Sequence, residues 1–225
     1  MRVLKPHVEV LPPPQRAVWE MLTRIPEGFV LYGGTAIALR LGHRTSVDFD
    51  FFSNLPFLPG ELEKRIPWLA ESQRLQSAPN TLTCLVDRKG PVKVSFFGDL
   101  KLGRVGEPDR VEEPGIWVAS LLDLAATKVK VVQDRAEAKD YNDVAAMLEH
   151  GIDLAKALGA ARAIYGDPFN PLLSLKALSF FQDGDLPTLP LTARTRLVAA
   201  ARSTEISGIP TIAVLSQDIA PEGHA

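Results

Sequence analysis

The sequence predicts an α+β fold, with a small mixed sheet flanked by helices and a helical region after it. Between residues 30 and 97, apolar and β-branched runs alternate with short helical segments, which is typical of such a sheet. From residue 121 onward, apolar residues recur every three or four positions, which indicates helices. We therefore predict an α/β core over residues 1–119 and a helical domain over 120–225, with a loosely ordered tail after about residue 205.

The stretch VLYGGTAIALRLGHRTSVDFDFF, residues 30–52, is predicted to organise the core. Its first three residues form an apolar run that suits a buried strand. Gly33 and Gly34 then predict a tight turn, because glycine tolerates backbone angles that other residues avoid. A helix follows, with Thr35 predicted as its N-cap and Gly42 as its C-terminal cap.

Two carboxylates follow this helix. Asp48 and Asp50 lie in VDFDFF, where β-branched and aromatic residues predict a strand, so both side chains should project from one face. Like charges this close repel unless a cation lies between them, and Mg²⁺ prefers carboxylates combined with substrate phosphates. Gly33 and Gly34 would let backbone N–H groups approach a phosphate at the helix N-terminus. The combination predicts metal-assisted nucleotidyl or phosphoryl transfer, and the alternative is a surface strand with two solvated aspartates.

Apolar spacing and turn residues predict the remaining elements. Helices are expected over residues 15–25 and 61–71, the second interrupted at Pro67. Two extended segments, 75–86 and 92–97, should form a hairpin that extends the sheet beside the aspartates. Further strands are expected near 110–111 and 116–119, and helices over 121–134, 138–150, 154–164, 171–181 and 191–204.

Composition limits the classes of function. The formal net charge of the 225 residues is -2, which argues against strong non-specific binding to DNA or RNA. Cys84 is the single cysteine, so an intramolecular disulfide is excluded and a reducing compartment is favoured. The sequence has neither a signal-peptide pattern nor an apolar run long enough for a membrane span. These observations predict a cytoplasmic protein without membrane association.

Two blocks resemble a known family. GGTAIALRLGHRTSVDFDFF resembles the signature of the AbiEii/AbiGii-type nucleotidyltransferase toxins, within the polymerase-β-like nucleotidyltransferase superfamily. DLAATKVKVVQDRAEAKDYNDVAAML, residues 123–148, is similar to the second conserved block of that family. The resemblance implies a polymerase-β-like fold that binds a nucleoside triphosphate (NTP) with Mg²⁺, as one ion or two. It also implies transfer of a nucleotide to an RNA 3′ end such as that of tRNA, or to a protein side chain. Members are typically toxins of toxin–antitoxin or abortive-infection systems, so an antitoxin is an expected partner.

The resemblance also implies roles for individual residues. It implies that Asp48 and Asp50 bind the metal. It also implies that four residues are catalytic, namely Asp48, Asp50, Lys128 and Asp140. The nucleotide would contact Gly33, Gly34, Thr35, Arg44, Ser46 and Lys128. Arg44 suits a triphosphate because guanidinium binds phosphate in a bidentate manner, although it could instead pair with an aspartate. Lys128 lies among apolar residues, so it could bind phosphate or form a helix–helix salt bridge.

One position departs from the superfamily pattern. The superfamily usually carries a third carboxylate on a later strand, and the matching position in VKVSFF holds Ser95. Serine is not a general base at neutral pH without an activating partner. Asp87 and Asp99 lie near the ends of this hairpin, but the sequence places neither at the metal. The alternative to an enzyme is therefore a catalytically impaired nucleotide-binding or interaction protein on the same fold.

Overall fold

Seven strands form one mixed sheet in the order β3-β4-β5-β2-β1-β7-β6. The β1–β7 and β2–β5 pairs are parallel and the other pairs are antiparallel. This confirms the predicted α+β class with a mixed sheet. The strands are β1 (Val30–Tyr32), β2 (Asp48–Phe52), β3 (Gln73–Ala78), β4 (Thr81–Asp87), β5 (Pro91–Phe97), β6 (Asp109–Val111) and β7 (Ile116–Val118).

The structure, a computed structural model, describes residues 2–221, and these form two units. Unit 1 contains the sheet and consists of residues 2–102, 107–120 and 217–221, whereas unit 2 consists of 103–106 and 121–216. The predicted domain boundary at residue 119 stays a prediction. The end of the predicted loose tail, residues 222–225, lies outside the described residues.

Four helices accompany the sheet: α1 (Pro13–Trp19), α2 (Gly33–Leu41), α3 (Pro59–Arg65) and α4 (Pro67–Ala70). The interruption expected at Pro67 is confirmed. The single helix predicted over residues 15–25 is wrong, because α1 ends at Trp19 and a 3₁₀ turn at Leu22–Arg24 follows. The apolar spacing continues beyond the helix because Leu22 and Ile25 are also buried in the core. The helix itself cannot continue, because Pro26 restrains Ile25 to the extended conformation that it adopts.

The extended segment predicted over residues 75–86 is also wrong, since it is two antiparallel strands, β3 and β4. The turn between them contains Asn80 at φ 63°, and asparagine adopts this left-handed region more readily than most residues. The Asn80 side-chain oxygen accepts a hydrogen bond of 2.8 Å from the Phe57 amide, which holds the turn in place. The other predicted hairpin, between β4 and β5, is confirmed.

The core of unit 1 lies against one face of the sheet. Phe49 and Phe51 are completely buried, and the Phe51 ring stacks on that of Phe96 with centroids 5.3 Å apart. Phe29 meets Phe96 edge to face at the same separation, 5.3 Å. Cys84 is buried as well, and desolvation raises the pKa of its thiol, as expected for a packing residue rather than a nucleophile.

Unit 2 contains the helices α5 (Leu121–Asp134), α6 (Ala138–Glu149), α7 (Leu154–Tyr165), α8 (Pro171–Ala177) and α9 (Leu191–Ser203). Asp153 and Asn170 cap α7 and α8, since their side chains accept backbone N–H bonds in the first turns. The sequence placed these helices correctly, except that α8 ends four residues before the predicted position 181. Its last turn tightens into i→i+3 hydrogen bonds from the Ser179 and Phe180 amides.

Substitution of Gly42 should destabilise the fold. Gly42 ends α2 at φ 65°, and an added Cβ would lie 3.1 Å from His7 Nδ1. We expect Gly42→Ala to lower the free energy of unfolding by about 1–2 kcal/mol, measured by urea denaturation. Gly60→Ala is the matched control, because nothing lies within 4 Å of its added Cβ and no positive φ opposes alanine there. Equal stabilities for the two variants would contradict this account of the α2 terminus.

Candidate active site

The two carboxylates predicted to face one way do so. Along β2 the side chains alternate, with Phe49 and Phe51 buried in the core and Asp48 and Asp50 half-buried on the opposite face. The apolar and aromatic residues fix the strand in the sheet, and the period of two then brings the carboxylates to the same side. Both carboxylates therefore lie on the face of β2 opposite the aromatic core.

The glycine turn lies directly beside this acidic pair. Tyr32, the last residue of β1, is opposite Asp50 in the antiparallel register, so Gly33 begins α2 next to the carboxylate. A Cβ on Gly33 would lie 2.9 Å from Asp50 Oδ2. A Cβ on Gly34 would lie 2.5 Å from Arg44 Nη2 and 3.3 Å from Ser46 Oγ. Gly33 is required for this close approach, whereas Gly34 meets the far end of the Arg44 side chain, which can move. The structure brings the predicted residues of unit 1 together.

Thr35 has a different local role from the one predicted. The helix already begins at Gly33 with Tyr32 as its N-cap, so the predicted N-cap at Thr35 is wrong. The Thr35 hydroxyl is instead buried, donating to the Asp48 carbonyl and lying 2.9 Å from the Ser46 hydroxyl. The Gln15 side-chain amide also reaches Thr35 Oγ1, at 3.3 Å. Thr35 thus ties the first turn of α2 to the start of β2, while its backbone amide belongs to the orphan donors of the helix N-terminus.

A lysine that the sequence analysis did not select lies beside the acids. Strands β2 and β5 are parallel, with Asp48 opposite Lys93 and Asp50 opposite Ser95, so all four side chains share one face. Lys93 Nζ is 3.1 Å from Asp48 Oδ2. The i, i+2 spacing in the sequence indicates that Lys93 and Ser95 share one face of their strand. Only the register of β2 and β5 identifies Asp48 as the partner of Lys93.

The residues present suit a hard divalent cation. Asp48 and Asp50 supply carboxylate oxygens, the ligand type that Mg²⁺ prefers, and neither side chain is sealed from solvent. Because Gly33 has no Cβ, the backbone of the turn can approach the Asp50 carboxylate closely. Two carboxylate ligands suit a Mg²⁺ ion whose remaining coordination positions are taken by water and by substrate phosphate. Within residues 2–221, no group of three or more His, Cys, Asp or Glu side chains is arranged to hold a metal ion.

The other predicted site residues lie in unit 2, in an ion cluster that joins α5 to α6. Lys128 Nζ contacts Asp140 Oδ1 and lies 2.7 Å from Asp143 Oδ2. Arg135 Nε lies 2.7 Å from the second oxygen of Asp140, and both aspartate side chains are completely buried. Burial alone would raise the pKa of Asp140, but the Arg135 hydrogen bond and the Lys128 charge outweigh it and hold this pKa below its ordinary value.

This geometry matches the salt-bridge interpretation of Lys128. Its ammonium has carboxylate partners on the neighbouring helix, which explains how a lysine can be buried among apolar residues. A part for Lys128 and Asp140 in nucleotide chemistry stays a prediction.

A cavity of about 730 Å³ lies at the other end of β1 and β2, away from the acidic pair. Its lining includes Phe29, Leu55, Phe57, Leu58 and Arg65. Strand β1 begins beside this cavity and ends at Gly33, so the cavity and the glycine turn are separate features of unit 1. The cavity contains none of the residues selected from the sequence.

Comparison with known proteins gives the class of the chain. A family model described as nucleotidyl transferase AbiEii toxin, type IV toxin–antitoxin system, matches residues 21–205. The protein aq_aa25 of Aquifex aeolicus (strain VF5), described as uncharacterized, is 32% identical over 158 residues, covering 69% of this chain and 74% of the relative.

Solved structures share the fold. JHP933 from Helicobacter pylori matches with a TM-score of 0.53 and 19% identity, over 87% of this chain and 89% of that chain. The nucleotidyltransferase toxin MenT4 from Mycobacterium tuberculosis H37Rv matches with a TM-score of 0.56 and 14% identity, over 84% and 82% of the two chains.

The fold is therefore that of the nucleotidyltransferases. The chain belongs to the AbiEii family of nucleotidyltransferase toxins, because the family model spans well over half of its length. The resemblance inferred from the two sequence blocks is confirmed, as is the assignment to the nucleotidyltransferase enzymes. No helix within residues 2–221 has the length and apolar character needed to cross a membrane.

The ion cluster of unit 2 should make stability depend on pH. Since the folded-state pKa of Asp140 is depressed, its stabilisation is present above the ordinary aspartate pKa of about 3.9 and is lost as the pH falls through the folded value. We expect Asp140→Asn to cost about 3–5 kcal/mol of unfolding free energy at pH 7, and this difference from the wild type to shrink below about pH 4.

The control for this prediction is Asp134→Asn, which removes an exposed i, i+4 partner of Lys130 on α5. It should change stability by less than about 1 kcal/mol at every pH. Denaturation curves between pH 3 and pH 7 give both values. A constant difference between the wild type and Asp140→Asn across that range would contradict the assigned ion cluster.

Alanine at the two glycines of the turn should have unequal effects. Gly33 has φ 74° and approaches the Asp50 carboxylate, so Gly33→Ala should cost about 1–2 kcal/mol of unfolding free energy and displace Asp50. An added Cβ on Gly34 meets the far end of the Arg44 side chain, which can move, so Gly34→Ala should cost less. Urea denaturation of both variants tests the order, and a smaller loss for Gly33→Ala would contradict the described turn.

Proposed function

We propose that this toxin transfers a nucleoside monophosphate from an NTP to an acceptor hydroxyl, with Asp48 and Asp50 holding Mg²⁺. The acceptor oxygen forms a bond to the α-phosphorus, the bond from the α-phosphorus to the bridging oxygen breaks, and pyrophosphate leaves with the hydroxyl proton passing to solvent. The observation that supports the proposal most strongly is the approach of Gly33 to Asp50, where an added Cβ would lie 2.9 Å from the carboxylate. A phosphate seat and a carboxylate pair are thus neighbours on one surface.

The backbone of the glycine turn would bind the triphosphate. The amides of Gly33, Gly34 and Thr35 are in the first turn of α2, where N–H groups have no carbonyl partner within the helix. The dipole of this nine-residue helix favours an anion at the same end. The amides of Gly34 and Thr35 would donate to the β- and γ-phosphates, and the absence of a side chain on Gly34 permits the contact.

The side chains around the turn would add charge and order. The Arg44 guanidinium lies beside Gly34, where it would donate two hydrogen bonds to a phosphate. Ser46 is held by the Thr35 hydroxyl and fixes the loop that enters β2. Mg²⁺, when bound, neutralises charge on the triphosphate and polarises the α-phosphorus. For Lys128 and Asp140 the family resemblance is the only support for a catalytic part.

Ser95, at the position of the superfamily's third acid, affects the rate of this reaction. Serine does not accept the acceptor proton at neutral pH. Phosphoryl-type transfer relies mainly on positioning and on electrostatic stabilisation, so we expect a slow enzyme rather than an inactive one. The acceptor would be either an RNA 3′ end such as that of tRNA or a protein hydroxyl. The reaction would take place in the cytoplasm, with a cognate antitoxin protein as the neutralising partner.

The proposal predicts which carboxylates are needed. Incubation of the protein with each radiolabelled NTP, Mg²⁺ and total cell extract should label RNA or protein. Asp48→Asn and Asp50→Asn should each lower this labelling by about 100-fold or more, because a ligand of the charge-stabilising ion is lost. Asp87→Asn is the matched control, since Asp87 only accepts from the Gly90 amide in the hairpin turn, at 3.1 Å.

Unchanged labelling in the Asp48 and Asp50 variants would remove both residues from the reaction. NTP binding by the wild type without any labelling of extract would instead support the alternative, a nucleotide-binding protein that acts through its antitoxin or another partner. Digestion of the labelled product with ribonuclease or protease identifies the acceptor class.

A further inference from the structure

We propose that the ammonium of Lys93 takes the place of a second metal ion beside Asp48, so that the active site binds a single divalent cation. The inference rests on the proposed function, since it concerns the carboxylates to which we assign the metal. It extends that function by stating that one metal ion and the Lys93 ammonium together supply positive charge beside the two carboxylates.

The position of Lys93 is set by the sheet rather than by a mobile loop. The parallel register pairs Lys93 on β5 with Asp48 on β2, and Lys93 Nζ reaches Asp48 Oδ2 at 3.1 Å. The side chains are 42% and 34% exposed, so the ion pair lies at the surface from which substrate approaches. Lysine is a compact point charge, which is the form that can replace a metal ion next to one carboxylate oxygen.

The residues that the register places next to Asp48 and Asp50 supply no acid for a second ion. Asp87 lies further along the same face of β4, opposite Pro91, and accepts a hydrogen bond from the Gly90 amide. Two-metal sites hold their ions about 3.5–4 Å apart, and each ion requires its own share of anionic ligands. On the face that carries Asp48 and Asp50, β5 presents Lys93 and Ser95. Next to these, β4 presents Thr83 opposite Ser95 and Leu85 opposite Lys93. The side of the acidic pair where a third carboxylate would bind a second ion therefore carries an alcohol, an alkyl group and a cation.

The charges of this arrangement favour one divalent ion. Asp48 and Asp50 contribute two negative charges, Lys93 returns one positive charge 3.1 Å from Asp48 Oδ2, and the Arg44 guanidinium beside Gly34 adds another. A first ion would bind between the two carboxylates, which project from the same face of β2. A second ion beside Asp48 would have to lie within a few ångströms of the ammonium, whose repulsion opposes it. Lys93 thereby supplies fixed positive charge, and it positions Asp48 through the ion pair.

The test counts metal ions directly. Mn²⁺ is titrated into the full-length protein in the presence of a non-hydrolysable NTP analogue, and free Mn²⁺ is measured by electron paramagnetic resonance. The wild type should bind one Mn²⁺ per chain. Lys93→Gln removes the competing charge and should tighten the binding of Mn²⁺ by about threefold, within the limit of about fivefold that an exposed ion pair sets. Lys93→Arg keeps the charge, so its affinity for Mn²⁺ should be closer to that of the wild type than to that of Lys93→Gln.

Two further variants separate local from general effects. Lys101→Gln removes a lysine that pairs with Asp99 instead of an active-site aspartate, so the affinity for Mn²⁺ should be unchanged. Asp48→Asn should weaken Mn²⁺ binding, because it removes an assigned ligand. Binding of two Mn²⁺ ions by the wild type, or an unchanged or weaker affinity in Lys93→Gln, would overturn the inference.

Failure of the inference can be told apart from failure of the proposed function. Two bound ions together with NTP-dependent labelling would overturn the role of Lys93 and leave nucleotidyl transfer standing. One bound ion, tightened by Lys93→Gln, without labelling of any acceptor would support the role of Lys93 and count against the transfer reaction.

Discussion

The candidate active site of this toxin depends on the placement of two negative charges on one face of β2. The core fixes this placement, because Phe49 and Phe51 occupy the buried face and leave Asp48 and Asp50 on the other. Repulsion between the carboxylates would disfavour the arrangement in isolation, so the surrounding groups must offset it. The two glycines of the turn add no side-chain atoms of their own to that surface, and Lys93 supplies a neighbouring positive charge.

The two acidic clusters of the chain use similar residues in different environments. In unit 2, Asp140 and Asp143 are completely buried with Lys128, and such a cluster favours one arrangement of α5 and α6. In unit 1, Asp48 is partly exposed and its lysine partner more so, so solvent weakens the pair and a ligand can exchange with it. Burial thus distinguishes a cluster suited to joining helices from one suited to binding a metal and a triphosphate.

Much of the fold could be predicted from local signals, whereas contacts between distant residues could not. The strand–turn–helix–strand unit of the site follows from residue types within 23 positions. Apolar spacing located most helices of unit 2, but it missed the end of α1 at Trp19 and the end of α8 at Ala177. Thr35 was assigned a local capping role, yet its hydroxyl bonds across to the start of β2. The ion pair between Lys93 and Asp48 exists only because two strands far apart in sequence pair in parallel, and no local pattern encodes that register.

The central claim is that the glycine turn and the aspartate pair form one seat for a metal-bound triphosphate. The most direct measurement is a crystal structure of the protein with Mn²⁺ and a non-hydrolysable NTP analogue, using the anomalous signal of manganese. Our account predicts an anomalous peak between the carboxylates of Asp48 and Asp50, with phosphate oxygens at the amides of Gly34 and Thr35. Manganese bound elsewhere, or a nucleotide occupying the cavity beside Phe29 instead of this turn, would contradict it.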